Sequence, residues 1–334
     1  MLTRRHAPRA PRLLWLLTMP VEVLVSPPAA LSCATCGCTL SSDAALGYST
    51  TAGWRLSFEY DYLHQDELRS GTHSIAGVRA GNELEHDTLN RYLTLGLDYS
   101  PSPDWGIKLF APYVIRTHST YGDYDSSEPL PQLSTSRSSS FGDIRFIGSY
   151  QGLLPTHNLG VQLGVKLPTG HYGTAVDFKS GRNTGLPLDA SLQPGTGSTD
   201  VIVGAYYFQA ISQNFDLFLN GQYQSAVAHH LDQSGSDYRP GNSTTLSFGL
   251  RYERNPRWVP QVQMNLLHKS PDQGALADIQ DTAGNVAYLS PGLTAQVLPA
   301  MHVYGFAQLP VYSNLYGDQL FPRWTASVGV SYAF

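Results

Sequence analysis

The sequence predicts an all-β protein that folds as a transmembrane, antiparallel, up-and-down β-barrel of about 12 strands. Three observations predict it. The chain alternates apolar and polar residues in run after run, the connections between runs alternate long and short, and aromatic residues collect at the short-connection ends. Charged residues are 14% of the 334 residues, against roughly 25% in typical soluble domains.

The final run shows the alternation most clearly. One parity holds Trp324, Ala326, Val328, Val330, Tyr332 and Phe334, and the other holds Thr325, Ser327, Gly329, Ser331 and Ala333. A strand with one face in lipid and the other in a lumen needs this pattern. We therefore expect the C-terminal strand, ending in Phe334, to contact outer-membrane lipid and the insertion machinery of that membrane.

Twelve such runs follow one another along the chain. They lie at 54–62, 89–99, 105–117, 141–151, 158–168, 199–209, 214–225, 243–253, 258–268, 286–297, 301–312 and 323–334. The connections between them are about 25, 5, 23, 6, 30, 4, 17, 4, 17, 3 and 10 residues long, the outer-membrane pattern of long extracellular loops and short periplasmic turns. The runs at 199–209, 286–297 and 301–312 alternate poorly.

Aromatic residues mark one membrane boundary. Those at or near the short-connection ends are Trp54, Tyr99, Trp105, Tyr150, Tyr207, Phe215, Tyr252, Trp258 and Phe334. Aromatic girdles occupy this position in barrels of the bacterial outer membrane, which is the location we expect. Arg91 departs from the apolar parity of its run, and its place beside a long loop lets it snorkel to the opposite interface.

The first 52 residues are different in kind. Four arginines precede the mostly apolar stretch 13–25, and Ala30-Leu31-Ser32 forms a small-x-small site before Cys33. We expect residues 1–32 to be a signal peptide, 33–52 a periplasmic segment that contains cysteine, and 53–334 the barrel.

All three cysteines lie in this segment, at Cys33, Cys36 and Cys38. Their thiolates suit a soft metal ion such as Cu or Zn. A disulfide with one thiol left over, or lipidation of Cys33, are the alternatives. Histidines cluster in the long loops, which fits either metal capture or ordinary polar loops.

The parity that faces away from lipid is expected to line the lumen with charges of both signs. The predicted lining residues are Arg55, Glu59, Asp61, Lys108, Arg116, Asp143, Arg145, Lys166, Asp216, Arg251 and Glu253. Such a lining either holds water or closes itself by ion pairs. About twelve strands enclose more space than eight and less than sixteen, so a narrow polar conduit for small solutes is favoured.

Three short blocks at strand edges resemble a known family. Phe141-Gly142-Asp143-Ile144-Arg145, Lys166-Leu167-Pro168-Thr169-Gly170 and Pro194-Gly195-Thr196-Gly197-Ser198-Thr199-Asp200 are similar to blocks of the outer-membrane channels named for the MetA pathway of phenol degradation. The resemblance covers roughly residues 50–334. It implies transport of small, often aromatic or hydrophobic compounds.

Other classes of function fit less well. The net charge of −5 offers no basic surface for nucleic acid. An outer-membrane hydrolase could use Ser225, His229 and Asp232, but the chain has no G-x-S-x-G or H-E-x-x-H segment. A barrel that conducts nothing and serves structure or adhesion is the remaining alternative. We therefore expect a channel and no enzyme.

Overall fold

The computed structural model describes residues 52–79, 82–123 and 129–334. The predicted signal peptide, the three cysteines and nearly all of the 33–52 segment lie outside these ranges. Among the described residues no helix is long and apolar enough to cross a membrane.

Fourteen strands in the described ranges form one antiparallel sheet. They are β1 (Gly53–Gly71), β2 (His73–Ser74), β3 (Glu83–Ser100), β4 (Trp105–Asp123), β5 (Ser134–Phe141), β6 (Ile144–Tyr150), β7 (Leu159–Leu167), β8 (Phe178–Ser180), β9 (Ser198–Ala210), β10 (Phe215–His229), β11 (Ser243–Tyr252), β12 (Trp258–Lys269), β13 (Gly284–Leu298) and β14 (Met301–Ala333). A 3-10 helix covers Ala190–Leu192.

The sheet closes on itself. Each of β1, β3, β4, β6, β7, β9, β10, β11, β12, β13 and β14 pairs with the next, and β14 returns to β1. Within the part of the chain that the structure describes, the closed barrel is therefore built from eleven of these elements, with β2, β5 and β8 as additions at its rim. One of the eleven, β14, crosses the wall twice, because its first half pairs with β13 and its second half with β1. Closure removes free strand edges, so backbone groups inside lipid are paired.

The last strand explains the difference from the twelve predicted runs. The 33 residues of β14 are continuous, and they contain both the 301–312 and the 323–334 runs. Met301 to Leu315 pair with β13, whereas Leu315 to Ala333 pair with β1. The chain doubles back near Gly317, which has a φ of 69°, and the N–H of Ala333 donates to the carbonyl of Ala300 at 2.9 Å.

The two ends of the barrel differ as the sequence predicts. The turns at 101–104, 151–158, 211–214, 253–257 and 299–300 share one end, called here the short-turn end, and the long connections share the other, the long-loop end. Aromatic rings pair across strands at the short-turn end: Trp54 with Tyr99 at 4.4 Å, Trp105 with Tyr150 at 4.6 Å and Phe215 with Tyr252 at 5.0 Å between centroids. These six aromatic residues therefore lie together at one end of the barrel, as predicted.

The predicted run at 141–151 corresponds to a strand that is broken. Both β5 and β6 pair with β4, but the second neighbour of β6 is β7, whereas that of β5 is β8. At the break, the N–H of Gly142 donates to the carbonyl of Pro112 at 2.8 Å. Asp143, which follows the break, faces the loop 168–197. The candidate functional site is built at this break.

Candidate functional site inside the barrel

The three family-like blocks meet at one point on the inner wall. Asp143 comes from the β5–β6 break, Lys166 from the end of β7, and Asp200 from the start of β9. The Nζ of Lys166 lies 3.0 Å from Oδ2 of Asp143 and 3.2 Å from Oδ2 of Asp200. Their side chains are at most 7% exposed. The three residues form what we call the Lys166 cluster.

Neighbouring groups satisfy the two carboxylates. Asp143 accepts hydrogen bonds from the N–H of Gly170 at 3.1 Å and of Thr196 at 3.0 Å. Asp200 accepts from Ser198 Oγ and from Gln224 Nε2, each at 2.6 Å. A buried ion pair persists only when its remaining polar atoms are bonded in this way. The arrangement therefore fixes three segments of chain to one another.

Glycines allow these segments to approach so closely. A Cβ placed on Gly170 would lie 2.8 Å from Cα of Gly195, and one on Gly195 would lie 2.6 Å from the carbonyl carbon of Gly170. Gly142 contacts Gly170 as well. No other residue type fits at Gly170 or Gly195 without moving the backbone. The conspicuous glycines of the blocks are thus explained by close packing of backbones.

The loop 168–197 is turned against the inner wall above the cluster. Arg116, on the inward parity of β4, donates to the carbonyls of Leu192 and Gln193. Loop residues Val176, Phe178, Leu188 and Leu192 form an apolar cluster of their own. Phe178 also lies 6.0 Å, between ring centroids, from the fully buried His118 of β4. The loop therefore narrows the long-loop end of the lumen.

All the predicted lining residues lie on the parity opposite to the exposed apolar one, and they fall into separate groups. Arg55, Lys108, Asp216, Arg251 and Glu253 lie near the short-turn end, where Arg251 contacts Glu253 at 3.0 Å. Halfway up the wall, Glu59 accepts from the hydroxyl of Tyr304 at 2.6 Å, and Asp61 accepts from Ser327. Sequence reasoning missed the partner Asp200, although it lies within the third block.

Open space remains beside Arg145. This residue is on the inward parity of β6, next to the Lys166 cluster, yet its side chain is exposed. It interacts electrostatically with Asp143 and Asp200. An exposed side chain on the inner wall has to face a lumen that admits water. The interior at this height is therefore only partly filled by side chains.

The inner wall also carries aromatic rings, which the predicted polar lining did not include. Four of these rings each lie over a glycine on the neighbouring strand, where an added Cβ would come within 2.8 Å of the ring or closer: Tyr206 over Gly160, Phe218 over Gly249, Phe306 over Gly292 and Tyr304 over Gly329. A strand glycine leaves room for such close approach. These four rings therefore lie close against the wall.

These rings account for the poor alternation seen in the sequence. Tyr206 and Phe208 belong to β9, Tyr288 to β13, and Tyr304 and Phe306 to β14, which correspond to the three irregular runs. In each run, apolar side chains stand on both faces. A glycine that pairs with an aromatic residue of the adjacent strand is the sequence feature that could have located such a ring. Gly292 and Phe306 are an example.

Two inward rings keep accessible surface. Phe110 lies directly opposite Arg145 in the β4–β6 register, and Phe208 lies opposite Phe218 in the β9–β10 register. Both Phe110 and Phe208 are partly exposed. The lumen thus presents apolar faces beside a cationic side chain. This combination suits solutes that carry an aromatic ring and little charge.

Carboxylates from several elements gather at the long-loop end. Burial, together with the charges of Glu83, Asp278 and Asp123, raises the pKa of Asp189 well above its ordinary range. Burial, and next the charge of Asp278, raises the pKa of Asp281 to about 7. The long-loop end therefore gathers carboxyl groups, at least two of which have raised pKa values.

The other candidate sites receive less support. Ser225 lies on β10, His229 ends that strand, and Asp232 is exposed in the following loop; no hydrogen bond joins them in the described chain. The described residues hold no group of three or more His, Cys, Asp or Glu side chains suited to a metal ion. Cys33, Cys36 and Cys38 lie outside the described residues, so the metal site there stays a prediction.

The closed antiparallel sheet, the girdle and the charged inner wall define the class of outer-membrane β-barrels. A solved outer-membrane channel from Pseudomonas putida F1 has the same fold, with a TM-score of 0.59 and 13% identity over 86% of this chain and 98% of that one. Two toluene transporters are more distant. The one from Ralstonia pickettii has a TM-score of 0.44 and 9% identity over 85% of this chain and 90% of that one. The one from P. putida has a TM-score of 0.40 and 10% identity over 92% of this chain and 98% of that one.

The family model described as "Putative MetA-pathway of phenol degradation" matches residues 89–317, more than half of the chain. The chain belongs to this family. A search of curated proteins gave no match.

Proposed function

We propose that this protein is an outer-membrane channel that carries small apolar solutes, phenols and related aromatic compounds among them, through its lumen. The observation that carries the proposal is the pairing of open space at Arg145 with the partly exposed ring of Phe110 directly opposite it. The family, named for phenol degradation, supports the same solute class.

The physical basis is a match between wall and solute. A planar ring gains dispersion and hydrophobic contact on an aromatic surface, while a hydroxyl finds donors and acceptors on the polar parts of the wall. A sugar would have to desolvate many hydroxyls against apolar rings, which is unfavourable. Aromatic solutes should therefore dwell in the lumen longer than sugars of similar size.

Single-channel recording in planar bilayers tests the proposal. We expect the reconstituted protein to conduct ions, with phenol at millimolar concentration producing brief blockages of the current and glucose at equal concentration producing far fewer. Phe110→Leu should shorten the blockages several-fold, because leucine cannot stack on the solute ring. Phe58→Leu is the matched control, since Phe58 is 45% exposed on the lipid side of β1.

Two outcomes would contradict the proposal. A current no greater than that of an empty bilayer would indicate a structural barrel that passes nothing. Equal blockage by phenol and glucose, unaffected by Phe110→Leu, would indicate a polar channel without preference for aromatic solutes.

A further inference from the structure

Two guanidinium groups stand on the lipid-facing side of the barrel near the long-loop end. Arg91 lies on the same parity of β3 as Leu93, Leu95 and Leu97, which face lipid. On one side of β4, Arg91 pairs with Ile115. On the other side, Arg137 of β5 pairs with Thr117, which is the next outward residue of β4 after Ile115. The two arginines therefore flank β4 on its outer face.

Neither guanidinium has a counter-ion among the described residues. The Nε of Arg91 is buried and makes no hydrogen bond, and Arg137 is exposed. Two other outward side chains at this rim differ, because Arg323 contacts Asp66 at 3.4 Å and the imidazole of His64 contacts Asp87. Among the described residues, Arg323 and His64 thus have acidic partners, whereas Arg91 and Arg137 have none.

The height of these residues places them at a membrane boundary. Arg91 and Tyr99 of the girdle are eight residues apart on one strand. With a strand tilt of about 40°, this separation is roughly 20 Å along the barrel axis. The apolar band of such barrels is about 25 Å tall, so Arg91 lies near its far edge. Aromatic rings border the pair on both sides, with Tyr62 stacked on Trp324 and Tyr113 packed edge-on against Phe141, each at 5.3 Å. Such rings mark the interface where lipid headgroups begin.

We propose that Arg91 and Arg137 form a binding site for the phosphate groups of a glycolipid in the outer leaflet. A guanidinium presents a planar fork of donors that fits a phosphate, and it is the cation that best tolerates partial burial. Their Cα atoms are two strands and one pleat apart, about 12 Å, which the long side chains can span around one headgroup. The acyl chains of the lipid would lie on the leucines of β3 below.

The test is lipid retention by the purified, full-length barrel. Native mass spectrometry in detergent, after addition of bisphosphorylated lipid A, should show one lipid retained by the wild type. Retention should fall at least tenfold in an R91Q/R137Q variant. The R323Q variant is the matched control, because Arg323 faces the same leaflet but is already paired with Asp66. R91K/R137K should retain an intermediate amount, since lysine keeps the charge without the fork.

Lipid A stripped of phosphate gives the second arm. We expect it to be lost equally from the wild type and from R91Q/R137Q. Equal retention of the phosphorylated lipid by wild type and R91Q/R137Q, with both barrels still shifting on heating in SDS gels, would overturn the proposal. Strong retention of the phosphate-free lipid that the arginines do not affect would equally overturn it, because apolar contact alone would then explain binding.

Discussion

At the scale of single residues, the Lys166 cluster shows how a buried charge can organise a barrel wall. One ammonium lies between two carboxylates, and each carboxylate belongs to a different segment of chain. An ion pair of this kind contributes little net stability, but removing one partner leaves an uncompensated charge. The main effect of the cluster is therefore to specify which segments of the chain pack together. Its net contribution to the stability of the fold is small.

Replacing Lys166 by Met should lower the free energy of unfolding by about 3–5 kcal/mol, because the two buried carboxylates then lose the ammonium between them and keep only the charge of Arg145 nearby. Urea unfolding in detergent, followed by tryptophan fluorescence, measures the change. K179M is the control, since Lys179 is 66% exposed where it contacts Asp177 and should change stability by no more than about 1 kcal/mol. Adding D143N to K166M should recover part of the loss; no recovery would show that the cation acts through something other than charge.

At the scale of elements, the loop 168–197 and its neighbours form a cap at the long-loop end. Ala190 of this loop packs with Tyr238 and Ala277 from the next two long loops. The hydroxyl of Tyr238 donates to Asp272 at 3.0 Å. The adjoining loop 270–283 also holds Asp281, whose Oδ2 has no hydrogen-bond partner although the side chain is fully buried.

The raised pKa of Asp281 makes this cap dependent on pH. Between its ordinary value of 3.8 and about 7, the folded loop holds a proton that the unfolded loop has released. Stability of the cap should therefore fall as pH rises through this window and level off above it. Hydrogen exchange of 270–283, corrected for the intrinsic rate, should quicken from pH 5 to 7.

D281N should flatten this pH dependence, because Asn keeps an acceptor for the N–H of Asp318 and cannot ionise. D232N, which alters an exposed carboxylate of a neighbouring loop, serves as the control. An unchanged slope in D281N would assign the pH dependence to other carboxylates of the long-loop end, such as Asp189.

The strands could be predicted from sequence because lipid imposes a simple rule on each outward residue. Leu93, Leu95 and Leu97 must be apolar whatever else the protein does, so the period of two is visible without a structure. No such rule governs the inner wall. Arg116 holds a loop, Arg145 faces open space, and Glu59 bonds a tyrosine, yet all three look alike in the sequence.

The loops were harder to predict for a related reason. The inward turn of 168–197 depends on contacts between residues such as Arg116 and Gln193, which are distant in sequence and carry no period. The break between β5 and β6 likewise depends on Gly142 meeting Gly170, which in turn meets Gly195. Only the clustering of glycines in the three blocks hinted at it.

At the scale of the whole molecule, the barrel is closed by its first and last strands. The backbones of Trp54 and Phe334 exchange two hydrogen bonds, of 3.0 and 2.9 Å, at the short-turn end. The Phe334 ring itself is 65% exposed. It therefore adds little packing, and we propose that Phe334 acts instead in recognition of the strand by the insertion machinery.

F334A should accordingly reduce the amount of protein in the outer membrane several-fold while shifting the midpoint of heat denaturation by only a few degrees, about 1 kcal/mol. Quantitative blotting of membrane fractions and heat-shift gels measure the two effects. F58A, which removes a similarly lipid-exposed ring from β1, is the control and should leave the amount of protein in the outer membrane close to that of the wild type. Equal membrane levels for F334A and wild type would contradict a role of Phe334 in insertion.

The doubling back of β14 has a consequence for how the cylinder forms. Every other neighbouring pair of barrel strands joins parts of the chain that follow each other closely, whereas the contact of Arg55 with Ala333 spans nearly the entire described polypeptide. The entropic cost of ring closure is thus concentrated in one late event. A circular permutant, with Phe334 tethered to Gly53 and new ends at 299–300, would turn that distant meeting into a local hairpin and would move the late closure to the contact between β13 and the first half of β14.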